Sequence, residues 1–96
     1  MYAVVRTYSG EGASALFDLL GQREADVKEL ISGVDGFVNY SAVRDGDGGV
    51  TVTVCRDKAG ADESSRRAAA WVTENLGAST TPPTMTGGDT VLQFSS

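Results

Sequence analysis

The chain contains no histidine and a single cysteine, Cys55, among its 96 residues. The absence of histidine excludes Ser–His and Cys–His catalysis and imidazole ligation of a metal ion. One cysteine cannot form an internal disulfide, and its place in a strand-like segment indicates a buried, inert thiol rather than a nucleophile. We therefore expect a protein of a reducing compartment, the cytoplasm, that has neither a metal centre nor a cofactor.

Basic residues and long apolar runs are also scarce. Eight lysines and arginines face 13 aspartates and glutamates, for a net charge of −5, so the chain lacks the basic face that nucleic acid or an anionic membrane requires. No apolar run approaches the roughly 20 residues of a membrane-spanning helix. Met1 leads straight into a strand-like segment rather than into the basic and apolar regions of a signal peptide.

Six segments carry the periodicity of regular structure, in the order strand, helix, strand, strand, helix, strand. They are residues 2–8, 13–31, 37–44, 50–56, 58–76 and 90–94. The glycine- and aspartate-rich stretch 45–49 predicts a hairpin turn, because these residues tolerate positive φ. The length predicts one domain, residues 1–96. We predict an α+β chain with the ferredoxin-like βαββαβ plan: an antiparallel sheet in the order 4-1-3-2 with two helices on one face.

The other face of the predicted sheet has no helix over it. The strand at 50–56 alternates, and we predict that its valines face the helices. On this assignment the uncovered face carries Tyr2, Val4, Arg6, Tyr8, Thr51, Thr53 and Cys55, while Leu92 and Phe94 pack inward. Two tyrosines and a valine are more apolar area than a monomer usually exposes, which predicts a homodimer in which two such sheets face each other.

Several parts of the chain resemble a known superfamily. The opening Met-Tyr-Ala-Val-Val-Arg, the Gly36-Phe37 start of the second strand with Tyr40, and the passage 55–76 resemble small dimeric α+β barrel proteins. These belong to the antibiotic-biosynthesis-monooxygenase-like superfamily. The resemblance spans nearly the whole chain and implies a homodimeric α+β barrel. It also implies two candidate activities, cofactor-free oxygenation of aromatic polyketides and haem degradation.

The chain departs from the residues that these enzymes use. The oxygenases carry an asparagine on the first strand, where this chain has Arg6 or Thr7. The haem-degrading members use a histidine as iron ligand, which this chain lacks, and a tryptophan early in the second helix. Trp71 lies about two turns further along, so that role is not transferred to it.

Four residues are candidates for a ligand site: Arg6, Tyr8, Tyr40 and Trp71. A charge in a central strand needs a partner. Arg6 therefore either pairs with an acid across the sheet or the dimer, or anchors an acidic or phenolic ligand inside the barrel. Tyr8 and Tyr40 are strand residues whose hydroxyls would line a pocket. Trp71 is either a half-buried packing residue or a pocket wall.

The sequence leaves open whether the chain is an enzyme. The first hypothesis is a dimeric barrel that binds a small aromatic or acidic molecule, or only assembles, because no general base or activated nucleophile is evident. The alternative is a cofactor-independent monooxygenase-like enzyme acting on an aromatic substrate, since carbanion chemistry needs few protein groups. A haem binder ranks third. An enclosed cavity of about 300 Å³ or more would favour binding or catalysis over assembly alone.

Overall fold

The computed structural model describes residues 1–96 and contains one four-stranded sheet and three helices. The strands are β1 Tyr2–Tyr8, β2 Phe37–Asp45, β3 Gly48–Cys55 and β4 Thr84–Asp89. The helices are α1 Ala13–Gln22, α2 Glu24–Ser32 and α3 Lys58–Leu76. The sheet order is β2-β3-β1-β4 and every pairing is antiparallel. The predicted ferredoxin-like plan and strand order are confirmed.

The hairpin between β2 and β3 turns on two residues. Asp45 pairs with Gly48, which leaves only Gly46 and Asp47 in the turn, and Gly46 adopts a φ of 60° that side chains rarely tolerate. A Cβ atom at Gly49 would collide with the Val43 carbonyl oxygen and the Phe17 ring. This close approach seats α1 against the hairpin, and the short turn fixes the register of the two strands.

The predicted first helix, residues 13–31, is two helices. The break is at Arg23, whose φ of −114° and ψ of 36° lie outside the helical range. α3 has the predicted bounds. Asp57 caps its N-terminus, because the Asp57 carboxylate accepts a hydrogen bond from the Gly60 N–H at 3.0 Å. After this break, α2 buries Val27 and Ile31.

The predicted last strand, residues 90–94, is wrong. β4 lies earlier, at Thr84–Asp89, and pairs with β1 from Thr7↔Thr84 to Tyr2↔Asp89. This pairing uses nearly the whole length of β1, so the residues after Asp89 find no further strand to pair with. Leu92 and Phe94 are 77% and 84% exposed instead of packed inward. Available pairing partners, rather than β propensity, decide where the strand lies.

The assignment of the two sheet faces is also wrong. Arg6 contacts Ser64 and Ser65 of α3, and Tyr8 packs on α1, so these two residues face the helices. Residues paired in register share a face. The helix-side face carries Tyr2, Val4, Arg6, Tyr8, Thr51, Thr53 and Cys55, and the open face carries Ala3, Val5, Thr7, Val43, Val50, Val52 and Val54. Threonine and valine are both β-branched and fit either face of a pleated sheet, so the alternation alone did not distinguish them.

The core lies between the helix-side face and the helices. Its centre is a cluster of Tyr8, Ala13, Leu16 and Phe17, against which Leu20, Trp71, Val72 and Leu76 pack. The Tyr8 and Phe17 rings meet edge to face with centroids 6.1 Å apart. Only 17 of the 96 residues are buried, so few side chains carry the stability of the chain.

No helix has the length and apolarity needed to cross a bilayer, and the cytoplasmic location stays a prediction.

Substitution of Leu16 tests this core. Leu16 is 2% exposed, and we expect Leu16→Ala to lower the free energy of unfolding by about 2–5 kcal/mol, because truncation leaves a cavity. Leu19→Ala is the matched control on the same helix. Leu19 is only partly buried, so its loss should be clearly smaller. Urea denaturation measures both, and equal losses would contradict the assigned inner face of α1.

Candidate functional site

Three cavities lie between the helix-side face and the helices, and neighbouring cavities share wall residues. The α1–β2 cavity, of about 720 Å³, is lined by α1, α2 and β2. The α3–β1 cavity, of about 360 Å³, is bounded by β1, α3 and the segment 77–83. A third space of about 20 Å³ lies between them, with room for about one water molecule and not for an aromatic ring. We call it the connecting space because it shares wall residues with both cavities. It shares Tyr40 with the first and Tyr8 with the second, so the three form a row beneath the helices.

All four candidate residues line this row of cavities. Arg6 and Tyr8 line the α3–β1 cavity. Tyr8, Tyr40 and Trp71 surround the connecting space, and Tyr40 also lines the α1–β2 cavity. The expected position inside a sheet–sheet barrel is therefore corrected, because Arg6 and Tyr8 lie on the helix side. That the four form a ligand site stays a prediction.

Arg6 is the most unusual of these residues, since it is only 1% exposed in a central strand. Its Nη1 donates to the Thr53 hydroxyl at 2.9 Å and to the Thr51 hydroxyl at 3.4 Å. Its Nη2 donates to the Ser64 hydroxyl at 2.8 Å and to the Ser65 hydroxyl at 3.1 Å. We call these four side chains the hydroxyl cradle. They fix the guanidinium in place, and the buried Nε has no hydrogen-bond partner.

No carboxylate neutralises this guanidinium within the chain. The five ion pairs join other residues, and all involve exposed or partly exposed side chains. The predicted ion pair between Arg6 and an acid across the sheet is therefore absent. Burial lowers the pKa of Arg6 from its ordinary value, as expected when a charged group leaves water. The hydroxyls supply dipoles but no opposite charge.

The titratable groups near Arg6 are neutral acids. Burial raises the pKa of Tyr8 above its ordinary value, while the nearby Arg6 acts in the opposite direction. Burial likewise raises the pKa of Tyr40 and of the Cys55 thiol. Both phenols and the thiol are thus protonated at neutral pH. Arg6 keeps its positive charge without a counter-ion.

Sequence reasoning placed Thr51 and Thr53 on the face of Arg6 but did not bring Ser64 and Ser65 to it, and it missed the segment 77–83 that closes the α3–β1 cavity. Ser64 and Ser65 lie on the inner side of α3, where apolar residues are usual, and that was the available signal. Sequence reasoning also missed Arg44, at the rim of the α1–β2 cavity. Its guanidinium contacts Asp18 Oδ1 at 2.7 Å and the Ser14 hydroxyl at 3.0 Å, which ties the end of β2 to α1.

Solved structures share this architecture. A Nitrosomonas europaea protein of unknown function, NE2512, superposes with a TM-score of 0.69 at 19% identity, over 99% of this chain and 92% of that chain. A monooxygenase from the gene ActVA-Orf6 of Streptomyces coelicolor, in complex with Nanaomycin D, gives 0.65 at 19% identity, over 99% and 91%. The heme-degrader MhuD of Mycobacterium tuberculosis, with two hemes bound in its active site, gives 0.60 at 15% identity, over 98% of both chains.

The chain has the fold of the antibiotic-biosynthesis-monooxygenase-like proteins. The resemblance predicted from the sequence is confirmed at this level. No family model and no curated protein matches the sequence, so the likeness is one of fold. The structure has no group of three or more histidine, cysteine, aspartate or glutamate side chains that could hold a metal ion.

A pH titration tests the burial of the two phenols. We expect at least two of the three tyrosines to ionise at higher pH in the folded chain than in urea, because burial raises the pKa of Tyr8 and Tyr40. The folded state then holds protons that the unfolded state releases near pH 10, so the free energy of unfolding falls above about pH 10. Phenolate absorbance measures the ionisation. Tyr8→Phe should remove one late-titrating group, and three tyrosines titrating alike in both states would contradict the placement.

Proposed function

We propose that this chain is a homodimeric protein that binds a small aromatic molecule in the cavities beneath its helices. The observation that carries the proposal is a pair of cavities beneath the helices with aromatic side chains in their walls. Phe17, Phe37 and Tyr40 line the α1–β2 cavity, and Tyr8 lines the α3–β1 cavity. Cavities of about 720 and 360 Å³ fall within the range of about 300–1,000 Å³ that is typical of ligand sites. Aromatic walls with a few convergent polar groups suit a flat, mostly apolar ligand.

Two proteins of the same fold support a ligand-binding role. The Streptomyces coelicolor monooxygenase was solved in complex with Nanaomycin D, and MhuD was solved with hemes in its active site. Both structures contain small organic molecules bound to this architecture. At 15–19% identity the ligand itself cannot be transferred, and the proposal depends on the aromatic lining of the present cavities.

Trp71 provides a direct test because it is the only tryptophan. In a ¹H–¹⁵N correlation spectrum its indole N–H gives one resolved signal. We expect 2-naphthoate or 2-naphthamide to shift that signal saturably, since the ring sits at the wall of the connecting space. Ala69→Phe should weaken the binding at least tenfold, because Ala69 lines the α3–β1 cavity and the added ring would occupy it.

The matched control is Ala70→Phe, on the exposed side of the same helix. This variant adds the same ring outside the cavities and should bind like the parent chain. If neither compound shifts the Trp71 signal at millimolar concentration, or if both variants lose binding equally, the cavities are not the site. The comparison separates occupation of the cavity from a general effect on α3.

A second candidate function is cofactor-independent oxygenation of an aromatic substrate. The buried positive charge of Arg6, beside the phenols of Tyr8 and Tyr40, would stabilise negative charge developing on such a substrate. The substrate itself would supply the electrons: a phenol loses its proton to solvent, the resulting anion adds dioxygen at a ring carbon, and loss of water leaves a quinone. The monooxygenase of similar fold favours this candidate. Dioxygen uptake in the presence of an electron-rich phenol distinguishes catalysis from binding alone.

The open face supports dimerisation more strongly than the face predicted from the sequence. It carries five valines: in the isolated chain Val43 is 57% exposed, Val5, Val50 and Val52 are half-buried, and Val54 is buried. The C-terminal Val91, Leu92 and Phe94 add further exposed apolar side chains. A contiguous patch of this kind marks an interface, and a twofold arrangement closes it with one self-complementary surface. We propose that two open faces pack together and that the C-terminal segment extends over the partner.

Val52→Asp should separate the dimer without unfolding the chain. Val52 lies near the middle of the open face, so the substitution places like charges near the twofold axis while the helix-side core stays intact. We expect sedimentation to give a species near 10.0 kDa, with an unchanged far-ultraviolet circular dichroism spectrum. The near-isosteric Val52→Thr should remain dimeric. A parent chain that is already monomeric at micromolar concentration would contradict the interface.

A further inference from the structure

We propose that the ligand is an aromatic carboxylate whose negative charge is held by Arg6 in the α3–β1 cavity. The inference rests on the proposed function, binding beneath the helices, and adds the chemical class of the ligand and its orientation. It assigns Arg6 as the anchoring residue and the hydroxyl cradle as the support that positions its guanidinium.

The first argument is the charge around Arg6. A guanidinium buried to 1% exposure normally has a carboxylate partner, because an isolated charge out of water is costly. The titratable groups near it are Tyr8, Tyr40 and Cys55, and all three are neutral acids at neutral pH. The chain therefore holds one buried positive charge that only another molecule can neutralise.

The second argument is the composition of the cavity wall. Arg6 is the only charged residue lining the α3–β1 cavity. Its other polar lining consists of hydroxyls, among them Ser65, Thr80 and Thr81, and its apolar lining includes Val72 and Met85. The α1–β2 cavity differs, because Glu24 lines it together with Lys28 and Arg44, and Arg44 is already paired with Asp18. Lys28 is exposed to solvent, so the buried positive charge of the row is at its Arg6 end.

The third argument is preorganisation. Four hydroxyls from β3 and α3 hold Nη1 and Nη2 of Arg6, while Nε is buried without a partner. Because Nε is buried and the other nitrogens are occupied, a carboxylate reaches the guanidinium by taking the place of Ser65, the cradle hydroxyl that also lines the cavity. The exchange replaces a neutral hydrogen bond with a charge-assisted one, which is stronger, and the guanidinium loses little freedom because it is already held in place. A purely structural arginine would also have its charge neutralised within the chain.

A carboxylate fits this site better than a phenolate. Burial in this region already keeps the phenols of Tyr8 and Tyr40 protonated, and the same loss of water would act on a phenol of the ligand. A carboxyl group ionises about six pH units lower than a phenol. It therefore remains charged when it enters the cavity.

The decisive experiment compares 2-naphthoate with 2-naphthamide at neutral pH, since the two differ mainly in charge. The Trp71 indole signal gives both dissociation constants on the parent chain. We expect the carboxylate to bind at least tenfold more tightly. Equal affinities would overturn the assignment of an anion while leaving the proposed function standing. Failure of both compounds to bind would overturn the two proposals together.

A pair of variants locates the anion at Arg6. Ser65→Asp places a carboxylate where the Ser65 hydroxyl now accepts from Arg6 at 3.1 Å, so the chain would carry its own counter-ion. We expect this variant to lose the preference for naphthoate and to show a higher Tm. Ser65→Asn, of the same size but uncharged, should keep the preference.

An unchanged preference in Ser65→Asp would place the anion elsewhere and overturn the role of Arg6. Arg6→Met extends the test, since it removes the charge but keeps a long apolar side chain. Arg6→Met should bind the two compounds equally. Its free energy of unfolding should fall by no more than the loss of the Arg6 hydrogen bonds explains, because the substitution also removes a buried unpaired charge. Should Arg6→Met fail to fold, the pair Ser65→Asp and Ser65→Asn still decides whether the anion is held at Arg6.

Discussion

The contact of the Arg6 guanidinium with its hydroxyl cradle joins β1, β3 and α3 in one buried network. Two hydroxyls come from β3 and two from α3, so the network forms only if Thr51 and Thr53 face the helix and α3 lies close to the sheet. The close approach also requires Gly60, where a Cβ atom would come within 2.8 Å of the Asp35 carbonyl oxygen. A buried polar network of this kind specifies register and facing more strictly than apolar packing does.

Sequence reasoning recovered what depends on local pattern and lost what depends on long-range pairing. The element order, the bounds of α3 and the strand order follow from periodicity, turn residues and the connection rules of small sheets. The facing of β1 and β3 depends on Ser64 and Ser65, which lie 58 and 59 positions after Arg6. The last strand depends on where the edge of β1 is free. Neither the facing of β1 and β3 nor the position of the last strand is determined by a short stretch of sequence.

The sequence placed Arg6 and Tyr8 on one face of the sheet, and the structure shows that this face lies beneath the helices. Arg6 and Tyr8 share a face because they are two residues apart on a strand. Tyr40 joins them through its pairing with Thr53, which the short hairpin turn determines. The missing carboxylate is a property of the whole fold, because the 13 acidic residues of the chain had first to be placed before any of them could be excluded as a partner of Arg6.

The two faces of the sheet reverse the usual distribution of polar and apolar side chains. Arginine, threonine and serine lie beneath the helices, whereas valines cover the face that no helix protects. Such a distribution weakens the isolated chain twice, through a buried unpaired charge and through an exposed apolar sheet. Association through the valines would remove the second weakness, and an anionic ligand would remove the first. The residues that make the monomer marginal are therefore those that a partner chain and a ligand would each complete.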